Sequence, residues 1–138
     1  MKPPRVIKVL VVDDNDTDRA IIKQILLSSG LSDAGLHIEV DEAQDGASGI
    51  FKFENNSTFG GGFEIVIVDW QMPKRNGLSV VNLIRKEIRH RDVKIVMVTG
   101  MADEKHVEEA IDAGVNDYIV KPITPDVFLK KIKKLCGV

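Results

Sequence analysis

Ile65-Val66-Ile67-Val68 is a run of β-branched residues that stops at Asp69, with Trp70-Gln71-Met72-Pro73 behind it. Four such side chains in succession leave no polar face, so the run reads as a strand covered on both sides, as in a parallel sheet. A carboxylate at the carboxyl end of such a strand stands where open α/β sheets hold their ligands. Two further apolar runs end alike: Val9-Leu10-Val11-Val12 meets Asp13-Asp14, and Ile95-Val96-Met97-Val98 meets Thr99-Gly100. A shorter one, Tyr118-Ile119-Val120, delivers Lys121 and then Pro122. Three carboxylates, a hydroxyl and an ammonium are therefore expected on one edge of a sheet, a set that suits a magnesium ion and a phosphoryl group.

Helical signals fill the spaces between these runs. Asp16-Thr17-Asp18 offers a cap for a helix through Ser28, with Ile21, Ile22, Ile25 and Leu26 at helical spacing and Gly30 as its C-cap. His37 to Ala43 reads as the second strand, and a short helix follows Asp45-Gly46 through Phe53. Glu54 to Gly62 is a polar connection expected to be mobile, and its three glycines lack the Lys-Ser/Thr that would complete a phosphate loop. Asn76-Gly77 opens a third helix whose buried face is Leu78, Val81, Leu83, Ile84 and Ile88. Asp103 caps a fourth over Glu104 to Ala113, ended by Gly114, and Thr124-Pro125 starts a fifth with Phe128, Ile132 and Leu135 facing the core. Strict alternation calls for parallel strands joined by right-handed crossovers. The expected fold is an α/β, flavodoxin-like, doubly wound (βα)5 domain, with strand order 2-1-3-4-5 and helices on both faces. Asp13, Asp14 and Asp69 are then neighbours at the switch point.

Composition narrows the function. The chain has 138 residues, 43% apolar and 29% charged, which is an ordinary globular balance for one domain. A formal charge of −2 leaves no basic footprint for nucleic acid. No apolar run is long enough for a membrane span, and Met1-Lys2-Pro3-Pro4-Arg5 has no signal-peptide core. A lone Cys136 suits a reducing cytoplasm and an inert role. His37, His90 and His106 share no metal-ligand spacing and read as exposed or edge residues. The Lys130, Lys131, Lys133 and Lys134 cluster reads as the solvated face of the last helix.

The motifs Val-Val-Asp-Asp, Val-Asp-Trp-Gln-Met-Pro, Val-Thr-Gly and Asp-Tyr-Ile-Val-Lys-Pro, taken together, resemble the receiver domains of two-component response regulators, most closely the single-domain chemotaxis-regulator type. The resemblance places a receiver domain at residues 6–136 after a short extension, 1–5. It implies that Asp69 is the phosphoacceptor, and that Asp14, Asp13 and the Gln71 carbonyl join Asp69 in holding Mg2+. Thr99 and Lys121 would contact the phosphoryl group, and Thr99 with Tyr118 would form the switch. Gln71 and Met101, two residues beyond the phosphoacceptor and the threonine, would flank the water that removes the phosphoryl group.

The implied function is a cytoplasmic phosphorelay switch that catalyses only its own phosphorylation and dephosphorylation. Its donor would be a sensor histidine kinase or a histidine phosphotransfer protein. Its output would be a downstream protein or a phosphorylation-promoted dimer of the otherwise monomeric chain, with no nucleic acid bound through this domain. A receiver module excised from a larger regulator is the alternative. A magnesium-dependent phosphatase with an aspartate nucleophile fits less well, because Gln71 stands where such enzymes commonly carry a second acid and no segment is long enough for a cap. A flavin carrier is a third class, but no Ser/Thr/Gly-rich phosphate-binding loop follows the first strand.

Overall fold

The apolar runs become five parallel strands, β1 (Arg5–Val12), β2 (Leu36–Ala43), β3 (Ile65–Val68), β4 (Lys94–Thr99) and β5 (Asp117–Val120), in a computed structural model that describes residues 3–58 and 62–138. The order is β2-β1-β3-β4-β5, with β1 beside β3 at the switch point. Five main helices join them: α1 (Asp16–Leu26), α2 (Gly46–Thr58), α3 (Gly77–Arg85), α4 (Glu104–Ala113) and α5 (Pro125–Cys136). Alternate residues of each strand serve opposite faces of the sheet. Ile7, Val9 and Val11 pack with Ile22, Ile25 and Leu26 of α1 and Phe128 and Ile132 of α5. Leu10, Val12, Val66 and Val68 pack with Phe53, Val80, Val81, Ile84 and Ala110 of α2, α3 and α4. All four residues of β3 are buried, as a strand covered on both faces requires. Among the described residues no helix is long and apolar enough to cross a membrane.

Several local expectations need correction. The cap of α1 is Asn15, whose side chain accepts from the Asp18 N–H at 2.8 Å. Gly30 does not end that helix; it lies inside a one-turn helix, Ser29–Ser32. The break comes earlier because the Ser28 hydroxyl donates to the Ile25 carbonyl at 2.6 Å, and because Leu31 is drawn into the core. Arg5 already belongs to the ladder, opposite Leu36.

Helix α2 runs to Thr58, five residues past the expected end at Phe53. Asn, Ser and Thr cost at most about 0.7 kcal/mol each against alanine in a helix, so one or two tertiary bonds reverse the preference. Here Lys8 Nζ donates to Asn56 Oδ1 at 3.0 Å, and Asn56 Nδ2 donates to the Lys52 carbonyl at 2.9 Å. The first part of the polar stretch is thus helical, through Thr58; residues 59–61 of the expected mobile connection lie outside the described residues.

Ile88 is 77% exposed in a short 3-10 turn after α3, and Val80 takes a place in the buried stripe. His90 is buried rather than peripheral, edge-on to Phe53 at 4.8 Å. Burial holds its imidazole below the ordinary histidine pKa. Its flanking Arg89 and Arg91 disguise that burial in the sequence.

Candidate functional site

Three backbone hydrogen bonds set the site. The Asp13 N–H donates to the Ala43 carbonyl at 3.1 Å, the Asp69 N–H to Val12 at 3.0 Å, and the Lys121 N–H to Thr99 at 2.9 Å. Each of these side chains therefore leaves the backbone one residue past a strand, at the carboxyl edge of the sheet. The Lys121-Pro122 peptide is cis. Glycine completes the packing: a Cβ at Gly77 would lie 2.0 Å from the Asp69 carbonyl oxygen. The start of α3 thus rests directly on the Asp69-Trp70 backbone, tied by Gly77 N–H to the Trp70 carbonyl at 2.8 Å.

Lys121 Nζ donates to Asp69 Oδ2 at 2.7 Å and to Asp13 Oδ2 at 2.9 Å. Its third contact, Asp18 Oδ2 at 2.7 Å, was not expected. An acidic residue in a first helical turn looks like ordinary dipole compensation, so nothing in the local sequence marks Asp18 as reaching inward. Burial disfavours the Lys121 ammonium, but hydrogen bonds to Asp18, Asp69 and Asp13 outweigh that and raise its pKa above the usual lysine value. Asp13 is raised as well, chiefly by burial and further by the charge of Asp69; the bonds from Lys121 and the Asn15 N–H offset this only in part.

Oxygens of Asp13, Asp14 and Asp69 lie within 4.8 Å of one another, with Asp13 and Asp69 buried and Asp14 exposed. Asp69 Oδ1 is the one buried side-chain polar atom among the described residues without a hydrogen-bond partner. The three carboxylates of Asp13, Asp14 and Asp69, gathered this closely, fit a hard dication that prefers oxygen ligands. Gln71 is exposed and lines an open depression of about 590 Å³ with Asp14, Trp70, Met72, Asn76, Met101 and His106. The Trp70 ring meets His106 edge-on at 4.7 Å, and His106 Nδ1 pairs with Asp103, whose carboxyl it holds below the usual range. Thr99 is buried, and its Oγ1 accepts from the Met101 N–H at 3.4 Å. The half-buried Tyr118 hydroxyl donates to the Met101 carbonyl, and burial first, then Asp103 and Asp69, raises its pKa.

A family profile described as response regulator receiver domain matches residues 9–133. The chain is 38% identical to chemotaxis protein CheY1 of Helicobacter pylori over 130 residues, covering 94% of this chain and 97% of that one. It is 39% identical to a chemotaxis protein CheY homologue of Campylobacter jejuni, covering 94% and 92%. Its fold superposes on Vibrio cholerae chemotaxis protein CheY4 with a TM-score of 0.75 at 28% identity, covering 94% and 98%.

Proposed function

Because this chain belongs to the response regulator receiver family and acts in two-component phosphorelay signalling, we propose that Asp69 is its phosphoacceptor. The donor is a phosphohistidine on a sensor kinase or a phosphotransfer protein. The observation that carries this reading is the division of labour on one carboxylate: Asp69 Oδ2 is held by Lys121 at 2.7 Å while the buried Oδ1 has no partner. An oxygen in that state is oriented and free to attack.

Attack of Oδ1 on the donor phosphorus forms the O–P bond and breaks the P–N bond. The electron pair leaves with the donor imidazole. Asp13, Asp14, Asp69 and the Gln71 carbonyl are the groups that would hold Mg2+. When bound, that ion supplies positive charge that offsets the carboxylates and the phosphoryl oxygens. Lys121 stabilises the incoming anion from the other side. The Thr99 hydroxyl donates to a phosphoryl oxygen, and a phosphorylated side chain brings about −1.5 to −2 charges to which it responds. The product is a changed surface rather than a released small molecule. In this reading residues 6–136 form the receiver unit, which works in the cytoplasm as a monomer until phosphorylation promotes binding to a downstream protein or a second copy.

Incubation with acetyl phosphate and Mg2+, followed by intact-mass measurement and site mapping, tests the assignment. One phosphoryl group on Asp69 is expected, with none on the Asp69→Asn protein. The Asp14→Asn protein should bind Mg2+ more weakly and label about ten-fold more slowly or worse, as loss of electrostatic stabilisation demands. Undiminished labelling of Asp69→Asn at another residue overturns the reading.

A further inference from the structure

A lysine ammonium has three protons to donate. In Lys121 all three directions are taken, by Asp13, Asp18 and Asp69 at 2.9, 2.7 and 2.7 Å. Asp13 and Asp69 are fixed to the sheet edge by their own backbone bonds. Asp18 is different: it stands on α1 and is not among the three carboxylates grouped for a cation. Its side chain is 26% exposed, against 2% for Asp13 and 9% for Asp69. The helix dipole does not require this inward placement, because Asp16 serves the same turn with a side chain 88% exposed. The Asn15 cap, bonded to the Asp18 N–H, instead fixes the turn from which Asp18 reaches Lys121.

We propose that Asp18 is a positioning residue that competes with the phosphoryl group for Lys121, and so sets how tightly the site holds a phosphoryl group. The inference rests on Asp69 being the phosphoacceptor. A phosphoryl group on Asp69 brings new acceptor oxygens to an ammonium that has no proton to spare. One existing partner has to be released, and Asp18 is the only one of the three not anchored to the sheet edge. Until it leaves, its charge opposes the incoming anion. The same charge favours a cation at Asp13, Asp14 and Asp69. Asp18 therefore acts with opposite sign on the two ligands of the site.

That opposition gives the test. The single tryptophan, Trp70, lies beside Asp69, so its fluorescence reports titration with Mg2+ alone and then with beryllofluoride at saturating Mg2+. Asp18→Asn removes the charge and keeps the shape; Asp18→Ala removes both. Each should bind Mg2+ more weakly and beryllofluoride more tightly, by about three- to ten-fold, the scale of a partly exposed charge pair. A merely structural role would weaken both ligands together. Unchanged affinities, or beryllofluoride binding weakened in both variants, overturn the proposal. Asp69→Asn, run alongside, separates the two readings. If it still binds beryllofluoride, the phosphoacceptor assignment fails. If it does not, unshifted Asp18 variants overturn only the competition.

Discussion

Thr99 and Tyr118 hold the same residue from opposite sides: the Met101 N–H donates to Thr99 Oγ1, and the Tyr118 hydroxyl donates to the Met101 carbonyl. The first bond uses a lone pair of Thr99 Oγ1 and is long at 3.4 Å, so the hydroxyl proton is available to a phosphoryl oxygen at little cost. On the proposed reading, a Thr99 hydroxyl drawn toward a phosphoryl group on Asp69 would strain its bond to Met101 and so disturb the Tyr118 ring bonded to the same residue. In that reading a charge change at the sheet edge would become a packing change between β4 and β5.

The surface that should feel this is formed by α4, β5 and α5. It carries exposed apolar side chains on each element, Ile111, Val120 and Val127. Hydrogen exchange with and without beryllofluoride and Mg2+ should change there as well as in the Asp69 loop. Coupling of about 1–3 kcal/mol, or roughly 5–150-fold in partner affinity, is expected. Changes confined to the Asp69 loop, or centred on α1 and α2, place the output elsewhere.

Met101 also bears on phosphoryl lifetime. Its apolar side chain lines the open depression beside Asp14 and Gln71 and offers nothing to orient a water molecule. Met101→Glu should speed phosphate release by about ten-fold, short of the ~10²–10⁴ of a fully positioned general base. The decay of phosphoprotein after removal of donor measures it. An equal or slower decay contradicts the role.

Asp13 is expected to cost stability when no cation is bound. Its raised pKa means the folded state holds a proton more firmly than the unfolded chain. Stability therefore falls as pH rises from the unfolded value through the folded one, and the deficit is complete above the folded pKa. Asp13→Asn should be more stable than the parent in Mg2+-free urea unfolding at neutral pH, with the advantage vanishing below about pH 3.9, the unfolded Asp value. Added Mg2+ should narrow or reverse the difference. An advantage that persists at low pH would show that charge is not its cause.

Gly77→Ala should destabilise the protein by about 1–3 kcal/mol, the usual range for forced overpacking. The added carbon meets the Asp69 carbonyl, so Mg2+ affinity should fall as well. Gly100→Ala is the control, since among the described residues no heavy atom beyond Gly100 and its two chain neighbours lies within 4 Å of its added carbon. It should change stability by about 0.5 kcal/mol or less. Urea midpoints for the two variants decide the matter.

The sheet and its edge were legible because β-branched runs and the polar residue ending each run have few alternative explanations. Asp13, Asp69 and Lys121 do meet, although 108 residues separate the first and last. Helix ends were less legible. Asn56 stays helical through a bond to Lys8 across 48 residues, which no local pattern encodes. Asp18 was missed for a related reason: an acid in a first turn has a sufficient local explanation, and its partner lies 103 residues away. His90 was misread because solvent-loving neighbours on both sides concealed a ring directed at Phe53.

The three backbone bonds that seat Asp13, Asp69 and Lys121 join strand to strand, and none depends on what a helix displays to solvent. On the proposed reading, loading the switch and choosing its audience are therefore separable. If the proposed α4–β5–α5 surface carries the output, the outer faces of its helices can drift, acquiring one listener and shedding another, while the backbone bonds at the sheet edge stay as they are.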